Sequence, residues 1–212
     1  MNPFIRNDQY NFIKKQTQIL VNGHMTVNDR AVLTALKSLT LEKVFELFEL
    51  LNEEQKQLLS SIVEVKEKEQ AEVFVAQIKP FIVPFKQVSE QAIKKLFPKV
   101  KKLKIPSIQE MDFKRLSYIG WNDKGSNKKF LVMEYKEKLV GISGGFASSH
   151  KKGLCALCHR FEEVGMFTSF VKGATQDAFT KRGNYICQDS QKCNDNLVSL
   201  TKLDEFIELL DG

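Results

Sequence analysis

Two cysteine motifs, Cys155-Ala156-Leu157-Cys158 and Cys187-Gln-Asp-Ser-Gln-Lys-Cys193, determine how the C-terminal half of this chain folds. These four cysteines are the only ones among the 212 residues. Two thiolates in a Cys-x2-Cys turn can face one ion, and a second pair completes a tetrahedral shell of sulfurs. Such a shell suits Zn²⁺ best, with an iron centre as the weaker alternative. The spacing therefore predicts a metal site held by Cys155, Cys158, Cys187 and Cys193.

Disulfide formation and redox chemistry are the two other uses of such cysteines. Disulfides are uncommon in a chain that shows no secretion signal and is large enough to fold without them. A thioredoxin-type pair follows a strand and opens a helix, whereas Gly153 precedes this pair and His159-Arg160 follows it. Because the protein fills the whole tetrahedral shell, no position remains for a substrate, and we expect one structural zinc ion.

The composition is that of an ordinary globular protein, with 42% hydrophobic and 27% charged residues. The length allows one large or two small domains. No apolar run approaches the length of a membrane span, and no secretion or lipidation motif is recognisable. We therefore expect a cytoplasmic, monomeric protein without membrane contact.

The net charge of +6 is unevenly distributed. Residues 1–84 carry 10 basic and 11 acidic side chains, whereas residues 85–212 carry 22 and 15. This excess favours an acidic partner such as nucleic acid, a ribosome or an acidic protein, and a solvated basic surface is the alternative. Six lysines within eleven residues are candidates for RNA contact: Lys94, Lys95, Lys99, Lys101, Lys102 and Lys104.

The N-terminal part, residues 1–83, predicts helices only. Apolar side chains at helical spacing define segments that start near Asp8, Thr26, Thr40, Asn52 and Lys66. Asn22-Gly23 is expected to end the first segment. Short connections between such helices favour antiparallel neighbours. We therefore expect a small helical bundle that carries no site chemistry.

Pro80 and Pro84 mark the expected boundary to a second domain, residues 84–212. After a short helix at Ser89–Phe97, the apolar period switches to that of strands. The expected strands are Arg115–Trp121, Lys128–Tyr135, Lys138–Ser143, Val164–Val171 and a segment ending at Cys187, and a last helix spans Leu197–Leu210. A cysteine knuckle, a hairpin and a helix in this order form a treble-clef zinc finger, at about residues 150–212. The predicted class is α+β, a helical bundle followed by a mixed α/β lobe.

No catalytic set is recognisable in the sequence. The chain contains no nucleophile elbow, no paired-histidine zinc-protease motif and no deaminase signature. We therefore name no catalytic residue and do not expect an enzyme.

The chain resembles the elongation factor G-binding proteins that confer fusidic acid resistance. The resemblance extends over nearly the whole chain. It is carried by Cys-x2-Cys and by Lys-Val-Lys-Lys-Leu-Lys-Ile-Pro (99–106), Gly-Trp-Asn (120–122), Gly-Asn-Tyr-Ile-Cys-Gln-Asp-Ser (183–190) and Cys193. It implies a zinc-finger domain that binds elongation factor G and promotes its release from ribosomes stalled by fusidic acid, with no covalent chemistry and only indirect ribosome contact.

The resemblance also implies a set of contact residues for elongation factor G. Tyr185 and Phe206 match aromatic contact positions of the family. Arg182 stands where relatives often carry lysine, so that the positive charge is kept. Leu154 stands where relatives carry phenylalanine, a departure that reduces aromatic area. The alternative function is a zinc-finger protein that binds nucleic acid or ribosomal RNA through the lysines.

Overall fold

The computed structural model describes residues 1–172 and 179–211. Contacts divide the chain into two compact units, Met1–Val83 and Pro84–Gly212. The first unit is helical, as expected, and its helices are α1 (Asn7–Thr26), α2 (Arg30–Phe45), α3 (Glu53–Ser60) and α4 (Lys68–Ile78). Short 3₁₀ turns at Ser61–Glu64 and Lys79–Phe81 follow α3 and α4.

Helix caps and a shared apolar core hold the first unit together. The Asp29 carboxylate accepts a hydrogen bond from the Ala31 amide at 2.7 Å, and Asn52 and Gln55 bond reciprocally at 2.9 Å at the start of α3. Such caps satisfy amides that a helix start leaves unpaired. The buried core residues come from the N-terminal segment, from all four helices and from the segment that follows α3: Ile5, Ile13, Leu20, Val21, Val44, Leu59, Ile62, Val65, Phe74 and Ile78.

Three expected helix boundaries in this unit are wrong. Helix α1 continues through Gly23 to Thr26, and the N-cap of α2 is Asp29 instead of Thr26. A Cβ atom on Gly23 would meet the Leu36 side chain, so this glycine permits close helix packing. Helix α2 also runs through Thr40, which is buried. Burial of one continuous face thus overrides the local stop and start signals.

The second unit is built on one antiparallel sheet whose strand order follows the chain. Its strands are β1 (Tyr118–Asp123), β2 (Lys128–Tyr135), β3 (Lys138–Leu154), β4 (Phe161–Lys172) and β5 (Phe179–Cys187). Its helices are α5 (Glu90–Leu96), α6 (Ser190–Asn196) and α7 (Thr201–Asp211). The α+β class is confirmed, and the bounds of β2 agree with the sequence prediction.

Two clusters of buried side chains form the interior of the second unit. One surrounds the cysteines and includes Tyr118, Phe167, Ile186 and Phe206. The other, which we call the aromatic cluster, is centred on Phe97, Trp121 and Phe130. The rings of Trp121 and Phe130 stack with their centroids 5.2 Å apart, and the Phe97 ring meets Phe130 edge-on at 5.2 Å.

Strand β3 is much longer than expected because Gly144-Gly145 lies within it. The turn before β3, Lys136-Glu137, has φ angles of 48° and 64° and so has the positive φ values of a type I′ hairpin turn. At Gly144, a Cβ atom would collide with the backbone carbonyl of Thr168 on β4. Gly144 is therefore a point of close backbone approach between β3 and β4.

The lysine-rich segment after α5 is not a strand. It forms turns and irregular backbone. Among the helices that the structure describes, none has the length and apolarity needed to cross a membrane.

We expect Gly144→Ala to destabilise the second unit by about 1–3 kcal/mol, because the Thr168 carbonyl is backbone and cannot rotate away. The measurement is chemical denaturation of the zinc-loaded protein. Gly125→Ala is the control, since a Cβ there meets only Asp123 Oδ1, at 3.4 Å. Equal stability of the two variants would contradict this account of Gly144.

Candidate metal centre and partner surface

The four cysteines come from three places in the second unit. Cys155 and Cys158 lie in the turn between β3 and β4, Cys187 ends β5, and Cys193 lies in α6. Helix α6 begins directly after Asp189, whose carboxylate accepts hydrogen bonds from the Gln191 and Lys192 amides at 2.8 and 3.1 Å. The order of knuckle, hairpin and ligand-bearing helix is that of a treble clef, as predicted.

The sulfur atoms converge on one buried point. All four Sγ atoms lie within 4.8 Å of one another. The Cys155–Cys193 and Cys158–Cys187 sulfur distances are 3.8 and 3.6 Å, too long for disulfide bonds. A tetrahedral zinc site with Zn–S bonds of ~2.3 Å has sulfur–sulfur edges of about 3.8 Å. The donor set therefore fits a tetrathiolate zinc site, in which the ion links the knuckle to β5 and α6.

Backbone amides hold the sulfur of Cys155 in place. The amides of Leu157 and Cys187 donate to this sulfur at 3.4 and 3.3 Å. The pKa of the Cys155 thiol is lowered because the Cys158, Cys187 and Cys193 thiols surround it. The pKa of Cys193 is raised by hydrogen bonding to the other thiols, first Cys155, and by burial. Because zinc binds thiolates, metal binding releases the protons that these thiols hold.

A buried lysine lies next to the cysteines, and the sequence analysis did not identify it. Lys129 on β2 is 0% exposed, and its Nζ donates to Asn122 Oδ1 at 3.1 Å and to the Gln188 carbonyl at 3.0 Å. Its pKa is lowered to about 8 by burial, while the Cys193, Cys187, Asp189 and Cys155 charges act in the opposite direction. Four thiolates carry more negative charge than one Zn²⁺ cancels, so this cation complements the loaded site.

Tyr118 is a second buried neighbour of the sulfurs that the sequence analysis did not identify. Its side chain is fully buried, and the pKa of its hydroxyl is raised well above the usual value by burial and by Cys193. Within the described part of the chain, this hydroxyl has no hydrogen-bond partner of normal geometry. A thiolate is an acceptor that such a group can use, which supports a charged sulfur shell.

Two of the four expected contact residues lie at the surface beside the metal centre. Leu154, at the end of β3, is 61% exposed, and Tyr185, on β5, is 44% exposed. The Tyr185 carbonyl accepts a hydrogen bond from the Ala156 amide in the knuckle at 2.8 Å. Arg182, also on β5, is partly exposed, and its Nη1 donates to the Leu209 carbonyl of α7 at 2.7 Å.

The structure places the fourth expected contact residue, Phe206, in the core. Its side chain is 3% exposed, and its ring lies 5.6 Å from that of Phe167. Helix α7 is amphipathic, and Phe206 occupies its apolar face with Leu203 and Ile207. Phe206 therefore borders the surface only as part of the wall of a cleft of about 420 Å³, which Leu154 and Leu209 also line.

Phe161 is an exposed aromatic residue that the sequence analysis did not identify. It is 68% exposed and lies directly opposite Leu154 in the β3–β4 pairing. The two side chains are therefore close enough to form one apolar patch. Phe161 thus supplies aromatic area beside Leu154. Its position shortly after Cys158 is the sequence feature that could have indicated a residue near the metal centre.

We expect Cys187→Ser to abolish stoichiometric zinc binding and to unfold the C-terminal unit, because zinc binding energy is also folding energy in such sites. Metal analysis and thermal melting check this together. Wild-type protein treated with a chelator provides the comparison. A variant that retains zinc and melts like the wild type would contradict the assignment.

We expect Lys129→Met to weaken zinc binding by roughly 10-fold or more, as changes around metal ligands usually do. Methionine keeps the length of the stem but removes the charge and both hydrogen bonds. Competition with a chromophoric chelator measures the affinity. Lys128→Met is the matched control, since Lys128 is the adjacent lysine and is exposed. Similar affinities of both variants would assign Lys129 a packing role only.

Comparison with known proteins identifies the family. The family model for the N-terminal part of elongation factor G-binding proteins matches residues 4–86, and the model for the FBP C-terminal treble-clef zinc finger matches residues 94–206. A solved structure of the fusidic acid resistance protein FusC is similar, with a TM-score of 0.84 and 32% identity, over 98% of this chain and 97% of that chain. No curated protein sequence matches. On both of its parts and over nearly its full length, the chain thus belongs to the elongation factor G-binding protein family.

Proposed function

We propose that this protein binds elongation factor G through its second unit, residues 84–212, and thereby confers resistance to fusidic acid. Family membership and the likeness to FusC support the proposal. The structural observation that carries it is the exposed pair Leu154 and Tyr185 beside the four-cysteine centre. A contiguous exposed apolar patch often marks a site of contact with a protein partner.

The partner surface, as we define it, consists of Leu154, Phe161, Arg182 and Tyr185. Tyrosine and arginine are the residue types that most often dominate binding energy, particularly on rigid supports. Tyr185 lies two residues before Cys187, and its backbone is bonded to the knuckle, so the metal centre fixes its position. Phe206 supports this surface from within the core.

Arg182 has a positioning contact as well as a charge. Its bond to the Leu209 carbonyl uses one guanidinium nitrogen and directs the side chain along α7. A guanidinium offers five donors, so others remain for a carboxylate of the partner. This arrangement suits an acidic group on elongation factor G near the apolar patch.

Binding alone is sufficient for the proposed activity, and we assign no catalytic residue. To promote release from a stalled ribosome, the protein must bind the released factor more tightly than the ribosome-held factor. A ligand with equal affinity for two states shifts no equilibrium. The ribosome is then engaged indirectly, through the factor, by one copy of this chain in the cytoplasm.

We expect Tyr185→Ala to weaken binding to purified elongation factor G by ~2 kcal/mol or more, about 30-fold, with little change in melting temperature. Titration calorimetry without ribosomes measures the affinity. Phe170→Ala is the matched control, because Phe170 is an exposed ring on β4 outside the partner surface. Equal losses in both variants, or no binding by the wild type, would reject the proposal.

A further inference from the structure

The segment from Lys94 to Lys104 presents an almost purely cationic surface. All six of its lysines are exposed, and the only other exposed residue in it is Pro98. The apolar side chains of the segment are partly or fully buried: Leu96, Phe97, Val100 and Leu103. We call the six exposed side chains the lysine surface: Lys94, Lys95, Lys99, Lys101, Lys102 and Lys104.

The backbone beneath the lysine surface is anchored to the aromatic cluster. The Trp121 indole Nε1 donates to the Lys104 carbonyl at 2.9 Å, and the Val100 amide donates to the Phe97 carbonyl at 3.0 Å. Val100 and Leu103 pack against the same cluster. The lysines thus project from a fixed support, which reduces the conformational entropy lost when a partner binds.

Few acidic groups neutralise this surface. Lys94 pairs with Glu90 at 3.8 Å, and no other lysine of the set has an ion pair among the described residues. Asp123 is the acid that faces Lys104, and its carboxylate already accepts hydrogen bonds from Ser126 Oγ at 2.7 Å and the Gly125 amide at 3.1 Å. Most of the positive charge therefore remains available to an external anion.

The composition of the surface favours RNA over a protein partner. Lysine is depleted at protein interfaces, which need an apolar centre, and no apolar side chain other than Pro98 is exposed here. Phosphate contacts need only cations. The segment contains no arginine, asparagine or glutamine, three of the residue types that form bidentate contacts with base edges. Backbone recognition without sequence preference is the expected mode.

We propose that the lysine surface binds the phosphate backbone of RNA. This activity uses none of the residues of the partner surface and does not depend on binding of elongation factor G. Each lysine that meets a phosphate releases counterions, so the affinity falls as salt rises. A copy of this protein that is bound to elongation factor G can then also bind RNA through the lysine surface. This second contact raises the local concentration of the protein–factor complex at RNA.

The test is fluorescence anisotropy of the zinc-loaded full chain with a short labelled duplex RNA of mixed sequence, over a series of salt concentrations. We expect the triple variant Lys99→Gln, Lys101→Gln, Lys102→Gln to bind at least ~10-fold more weakly and to show a salt slope reduced by about two units or more. The control triple variant Lys14→Gln, Lys15→Gln, Lys43→Gln removes the same charge at exposed positions of the first unit and should retain the slope.

Three results would overturn the proposal. The first is no RNA binding by the wild type at low salt. The second is an equal loss in both triple variants, which would assign the binding to net charge. The third is a lysine-surface variant that keeps RNA affinity but loses elongation factor G, which would make the surface a protein contact. Because elongation factor G binding is measured separately, failure here leaves the proposed function standing.

Discussion

The convergence of four sulfur atoms on one point is the constraint on which the second unit depends. It requires the turn between β3 and β4, the end of β5 and the first turns of α6 to meet within a few ångströms. The metal centre therefore also fixes the positions of side chains close to the four cysteines. Tyr185 gains its position from Cys187 and from the bond to Ala156, and Lys129 joins β2 to the turn that follows β5.

The sequence alone predicted the features that depend on neighbouring residues, but it failed for features that depend on tertiary packing. The ligand set followed from the cysteine spacing, and the bounds of β2 followed from the turn residues on either side of its apolar run, since both depend on neighbouring residues. The end of α1 did not, because Gly23 fits against Leu36 of another helix and the sequence shows no such contact. From its local sequence Thr40 was expected to start a new helix, yet its side chain is buried and α2 continues past it.

In the candidate site, too, some residues could be predicted from the sequence and others could not. Resemblance directed attention to Leu154 and Tyr185, and both are exposed. Phe206 lies on the apolar face of α7, and the sequence pattern of that face does not show which of its residues is exposed. Lys129 is the second of two lysines that open β2, so it resembled an ordinary solvent-facing lysine until the β5–α6 turn was found to cover it. Phe161 lacked periodicity altogether, since it follows a turn.

The strand order of the sheet has a consequence for how the second unit folds. Each strand pairs with its neighbour in sequence, so every ladder joins two segments that are consecutive in the chain. An isolated hairpin forms within about 1–10 μs, far faster than a ribosome adds residues. During synthesis Cys155 and Cys158 leave the ribosome before Cys187 and Cys193, and two thiolates alone hold zinc weakly. The four-sulfur shell is therefore complete only after Cys193 has been synthesised, and the stabilisation that zinc gives to the folded unit is the last to be added.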